Sequence, residues 1–177
     1  MNDPSRWLIT HRHLLPASGD GLDLACGSGR NALWLAEQGY QTLGVDRNSR
    51  ALDELSQEAA RRRLSIRTQA VDLETGEPFL KPDTFDLIVV VHYLHRPLFP
   101  ALVRALRPGG VLVYETFTRA QAVRGKPANP AFLLEPGELL KCVRALEILA
   151  SREGDFEGKS VASVVAARVP HLPNSGV

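Results

Sequence analysis

Residues 22–31 read L-D-L-A-C-G-S-G-R-N: an apolar strand with one carboxylate inside it, then a tight turn of small residues that opens a helix. Gly27 and Gly29 allow backbone conformations and close approaches that a side chain would block. The helix that begins beside Gly29 has unpaired N–H groups in its first turn, so the stretch suits a nucleotide-like ligand. A dinucleotide fingerprint would add a third glycine, but the pattern Ala25-x-Gly27-x-Gly29 stops short of one. A phosphate loop would add G-K-S or G-K-T at this turn, and neither follows directly after it. A nucleoside without phosphate fits what remains.

Working outward, strands and helices alternate. Apolar spacing predicts a leading helix within residues 1–19, a first strand at 21–25, a helix at 30–38 closed by Gly39, and a second strand at 41–46. Asn48 or Ser49 then caps a helix reaching about Arg62. The run Arg61-Arg62-Arg63 reads as a solvated helix end, and a third strand spans 65–71. The link 72–84, with Gly76, Pro78 and Pro82, leaves room for one helical turn or none. F-D-L-I-V-V-V at 85–91 is a continuous β-branched run, as expected of a central parallel strand buried on both faces. A helix at 97–106, a turn at Arg107-Pro108-Gly109-Gly110 and a strand at 111–117 follow. Residues 118–134 lack periodicity. Pro136 at a first helical position opens a helix to about Leu146, and strands at 147–152 and 161–168, joined through 154–158, close the sheet as a hairpin. The expected fold is therefore α/β: a Rossmann-like, doubly wound, mostly parallel seven-stranded sheet with a C-terminal antiparallel hairpin. Residues 1–177 form a single domain on this reading, with 170–177 a tail.

Composition bounds the partners. Twenty-one basic against 20 acidic residues leave a net charge of +1, giving no general attraction to nucleic acid or to an anionic membrane surface. The two cysteines, Cys26 and Cys142, have no neighbour at zinc-ligand spacing, and no metal site is expected. The first ten residues lack an apolar leader core, and no run approaches a bilayer span. The expectation is a cytoplasmic protein, monomeric or homodimeric, with a small-molecule substrate.

The ordered set L-D-L-A-C-G-S-G-R-N, G-V-D-R-N, A-V-D-L, F-D-L-I-V-V-V-H-Y-L and L-R-P-G-G-V-L resembles class I S-adenosylmethionine-dependent methyltransferases across about residues 20–117. More narrowly, S-R-W, H-Y-L-H-R-P-L-F-P, Y-E-T-F and G-K-P-A-N-P-A-F-L-L-E-P-G-E-L-L resemble a small bacterial group labelled tellurite-resistance-like. Ala25 departs from the glycine that the broad family often carries. The resemblance implies S-adenosyl-L-methionine as cofactor and S-adenosyl-L-homocysteine as product. It implies transfer of a methyl group to a small acceptor: a soft nucleophile such as a thiol or chalcogen, or an amine or hydroxyl. The alternative is a cofactor-binding sensor or partner subunit without transfer activity.

By the same resemblance Asp23 reaches the methionine amino group of the cofactor, and Ala25, Cys26, Gly27, Gly29 and Asn31 belong to the turn that binds it, Cys26 as a small packing residue rather than a nucleophile. Asp46 takes the ribose hydroxyls beside Arg47 and Asn48, Asp72 and Leu73 meet the adenine, and Val91 and His92 flank the sulfonium. Each has a plain structural counterpart: a paired carboxylate in a strand, a tight turn, a helix cap, a turn-initiating aspartate. His95 is the candidate general base, since imidazole titrates near neutrality. Trp7, Tyr93, Arg96, Glu115 and Phe132 are the expected substrate-pocket residues, with 118–134 the acceptor loop; the structural alternatives are that Trp7 and Tyr93 pack in the core and that Arg96 or Arg124 neutralises Glu115 in an ion pair.

Overall fold

A computed structural model describes residues 3–75 and 79–170 of the chain. Seven strands form one sheet in the order β3-β2-β1-β4-β5-β7-β6. The strands are β1 (Asp20–Leu24), β2 (Gln41–Asp46), β3 (Ile66–Ala70), β4 (Phe85–Val91), β5 (Leu106–Phe117), β6 (Glu147–Phe156) and β7 (Lys159–Ala167). The first five are parallel, and β7 enters antiparallel between β5 and β6. The helices are α1 (Arg6–Thr10), α2 (Arg30–Glu37), α3 (Ser49–Arg62), α4 (Phe99–Ala105) and α5 (Glu138–Cys142). The strand order reverses between β1 and β4, which is where ligands bind in open α/β sheets.

Both faces of the sheet are covered, which is why β4 carries no alternation. Ile88 and Val90 join the core under α4 and α5, while Leu87, Val89 and Val91 pack under α1 and α2 beside Trp7 and Trp34. No helix among the described residues is long and apolar enough to cross a membrane.

Five local expectations differ from what is found. The leading helix is only α1 followed by a 3₁₀ turn at Arg12–Leu14, because Leu15, preceding Pro16, is extended. The R-P-G-G stretch is no free turn, since β5 runs through it. Its extra residues form a bulge between the pairs Phe85–Leu106 and Leu87–Val111. Gly109 (φ +82°) donates to the Arg168 carbonyl at 2.6 Å, and Gly110 accepts from the Arg168 amide at 2.8 Å. The helix expected from Pro136 begins two residues later, after Gly137 at φ +68°, and ends at Cys142. The hairpin strands are longer than expected and meet in a two-residue turn, Glu157 (φ +54°) and Gly158 (φ +76°), the left-handed pair of a type I′ turn. The expected helix at 97–106 begins instead as a 3₁₀ turn at Arg96–Leu98 and continues as α4. Gly76, Pro78 and the tail from 171 onward lie outside the described residues.

Candidate functional site

A cleft of about 430 Å³ opens at the carboxyl ends of the parallel strands, within the range of small-ligand sites. Each of the five contributes: Ala25 after β1, Asp46 ending β2, Val71 after β3, His92 after β4 and Phe117 ending β5. Among the described residues no group of three His, Cys, Asp or Glu side chains is placed to hold a metal ion.

The turn after β1 is built by backbone. Ala25 adopts φ +56° and Gly27 φ +54°. Cys26 donates its amide to the Val45 carbonyl at 2.9 Å, and Gly29 donates to the Cys26 carbonyl at 2.9 Å. Asp46 closes the structure from β2: one oxygen accepts from the Gly27 amide at 2.8 Å and the other from the Asn48 amide at 2.9 Å. Each oxygen keeps a further lone pair for a ligand hydroxyl. Asn48 itself caps α3, accepting from Ala51 at 3.3 Å. Gly29 is glycine for packing, since a Cβ there would lie 2.3 Å from a Leu55 methyl, whereas one at Gly27 would meet open space.

Asp23 is fully buried in β1, and its carboxylate accepts from the Ala32 amide at 2.9 Å in the first turn of α2. Burial raises its pKa to about 7, against the opposing effects of that hydrogen bond and of Arg30. Cys26 is buried, with its thiol pushed up by desolvation, so it packs rather than reacts. Asn31 accepts from the Ser5 amide at 2.9 Å and thereby ties α2 to the leading segment.

Asp72, Leu73 and Arg47 line the cleft. The Asp72 side chain accepts from the Glu74 amide at 3.0 Å, as in an Asx turn. His92 has φ +60° and stacks on Phe117 with ring centroids 4.6 Å apart. Desolvation, with Lys159 and Arg30 nearby, lowers its pKa to about 4. Tyr93 is pushed up to about 12, again mainly by burial. His92 Nε2 and the Tyr93 hydroxyl are buried without a hydrogen-bond partner. Two orphaned polar atoms on adjacent cleft residues fit a wall that polar ligand atoms complete. Val91, the last residue of β4, is buried beneath them.

Four expected residues sit elsewhere. Trp7 is buried in the core under α1, with the Arg152 guanidinium 4.7 Å from its ring centroid. Glu115 is also buried, accepting from Arg152 at 3.0 Å, Ser163 at 2.7 Å and Ser5 at 3.3 Å. Arg96 grips Glu138 with two nitrogens, at 2.5 and 2.9 Å. His95 precedes the 3₁₀ turn at Arg96–Leu98 and, like these three, is not among the residues lining the cleft. Phe132 and Tyr93 do line it. Sequence reading missed Val71, Glu74, Leu94 and Phe117 as cleft residues and placed Pro127 there only as part of the acceptor loop. Phe117 carried a signal, since it ends a strand parallel to β4, which also ends at the cleft.

Residues 22–110 match a family described as a methyltransferase domain. Over 115 residues, 63% of this chain and 37% of the relative, the sequence is 33% identical to Hemagglutinin 1 of Eikenella corrodens. It is 29% identical to the probable S-adenosyl-L-methionine-dependent methyltransferase TehB of Haemophilus influenzae over 86 residues, 49% of this chain and 30% of that protein. The chain thus spans less than half the length of these curated relatives. The crystal structure of Haemophilus influenzae TehB superposes with a TM-score of 0.71 at 21% identity, covering 92% of this chain and 61% of that one.

Proposed function

The chain belongs to the methyltransferase-domain family, and from that premise we propose that it is an S-adenosylmethionine-dependent methyltransferase acting on a small molecule. The observation that carries this reading is Asp46: a carboxylate at the end of β2, held by the Gly27 and Asn48 amides, on the same cleft wall as Asp72. A pair of ribose hydroxyls is the natural donor to such an oriented carboxylate, and the amide-rich turn beside it lacks the cradle that a pyrophosphate needs.

The bound cofactor supplies a methyl group on positively charged sulfur, already a good electrophile. The chain's residues have to bind, orient and exclude water. Asp46 and Asp72 fix the nucleoside end, and the residues after β4 wall the place where the methyl group must lie. Tyr93 and the uncharged His92 ring offer π-faces to a cationic centre. Alignment of two reactants is worth about 7–11 kcal/mol, so the reaction needs no dedicated base. His92, held near pKa 4, accepts a hydrogen bond but is a poor proton acceptor at neutral pH.

Calorimetry with S-adenosylhomocysteine tests the reading. The parent protein should bind. Asp46→Ala should weaken binding by about 1.5–3 kcal/mol, roughly 10- to 150-fold, for loss of hydrogen bonds to a charged group. No binding by the parent would overturn it.

A further inference from the structure

The cleft is divided by charge. Its acidic and basic side chains, Asp46, Arg47, Asp72 and Glu74, all stand at the end of β2 or on the segments after β2 and β3. The half over β4 and β5 is lined by His92, Tyr93, Phe117, Pro127 and Phe132, with no formal charge among the described residues there. His92 belongs with the uncharged set, since its ring stacks on Phe117 at 4.6 Å and its Nε2 is buried.

The basic residues nearest this half are engaged, stand behind it or, like Lys126 beside Pro127, lie outside its lining. Arg30 donates to the Asp3 carbonyl at 3.1 Å, and its other terminal nitrogen lies 3.5 Å from His92 Nδ1. Lys159 acts on His92 from β7 without lining the cleft. Arg124 pairs with Asp155 at 2.5 Å. Arg96, held on Glu138, also donates to the carbonyls of Ala131 at 3.0 Å and Leu133 at 2.9 Å. Those two carbonyls flank Phe132, so one guanidinium fixes the backbone on both sides of a ring that is 48% exposed at the cleft.

We propose that the methyl acceptor is an uncharged aromatic molecule, seated between Phe132 and the His92–Phe117 stack, and that Arg96 is the residue that positions Phe132 for it. The proposal rests on the methyltransferase reading. Aromatic walls favour an aromatic guest through offset and edge-to-face contacts. An oxyanion placed there would lose its water and gain from the protein no cation or cluster of N–H donors in return, only the cofactor's own sulfonium, which faces any acceptor alike. In the transfer, a heteroatom lone pair of the acceptor forms the new bond to the methyl carbon. The methyl–sulfur bond breaks with its electron pair left on sulfur, and any proton on the heteroatom leaves to water.

The test separates the two layers. S-adenosylhomocysteine binding is measured first, and its absence would fail the underlying reading. Label transfer from S-adenosylmethionine is then followed into uncharged phenols, anilines and N-heteroaromatics, and in parallel into selenite, tellurite and aliphatic carboxylates. Label should enter the aromatic set. Phe132→Ala should raise KM for the best aromatic acceptor by roughly 10-fold, with kcat and S-adenosylhomocysteine affinity little changed. Arg96→Met should move KM in the same direction and Arg96→Lys recover part of it. Phe132→Leu provides a more conservative variant should the alanine form fold poorly. The proposal is overturned by preferential labelling of the oxyanions or carboxylates. Absence of aromatic product from protein that binds S-adenosylhomocysteine, or an unchanged KM in both Phe132 variants, would also overturn it.

Discussion

Asp23 in β1 and His92, directly after the neighbouring β4, respond to pH in opposite directions. Burial raises Asp23 to about 7 from an ordinary 3.8, so the folded state holds a proton that the unfolded state has already lost between those values. Its contribution to stability is complete below pH 3.8 and is lost as pH rises through 7. His92 is lowered from 6.5 to about 4; below 6.5 the unfolded chain takes up the proton first, and stability falls as pH drops toward 4. Asp23→Asn keeps an oxygen for the Ala32 amide and removes the titration. Its melting temperature should match the parent's near pH 3.5, pull ahead of it between pH 4 and 7, and stay above it at pH 8. A difference that does not change with pH would contradict this. Ala25 is the other strained position: φ +56° costs a residue with a Cβ about 1–2 kcal/mol, and the turn hydrogen bonds around it hold the conformation.

At the scale of elements, Glu115 is where four segments meet. From β5 it takes hydrogen bonds from Arg152 on β6, Ser163 on β7 and Ser5 at the cap of α1. Glu115→Ala should therefore leave a largely buried guanidinium unpaired and cost about 3 kcal/mol, the low end for a broken buried pair because Arg152 keeps some solvent. Glu115→Gln, which still accepts, should cost less. Chemical denaturation compares the two, and equal losses would refute the charge argument. This junction also shows what a sequence can reveal. β4 was legible because burial on both faces leaves an unbroken β-branched run, and α3 because Asn48 caps it and its apolar face repeats at helical spacing. The passage of β5 through R-P-G-G was not, because glycine and proline look the same in a turn and in a bulge. Asp46 and Asp72 were legible as cleft residues because each follows a strand in a fixed order. A structural ion pair for Glu115 was legible, but with Arg96 or Arg124 as its partner; the partners that consume these charges, Glu138 for Arg96 and Arg152 for Glu115, are remote in sequence and only the folded chain brings them near.

At the scale of the molecule, the cleft takes one residue or more from the end of every parallel strand and straddles the line where β1 meets β4. Polar recognition sits on the β2–β3 side and aromatic recognition on the β4–β5 side, so the two halves belong to different stretches of chain. The pairs that join them, such as Leu22 with Ile88, link residues far apart in sequence, whereas β6 and β7 meet across a two-residue turn. Closing the longer loop costs more chain entropy, and pairing of this kind is slow. Assembly order follows from the seam. The C-terminal hairpin and the β1–α2–β2 unit can form locally, but neither contains a complete cleft. Ligand-binding competence should thus appear only in the slowest refolding phase, after most helical signal has returned. Stopped-flow refolding with a fluorescent S-adenosylhomocysteine analogue, run beside far-ultraviolet circular dichroism, would show it as a lag between the two signals, and simultaneous recovery would refute it. The strand reversal that opens the cleft thus also makes the cleft the last part of the molecule to exist.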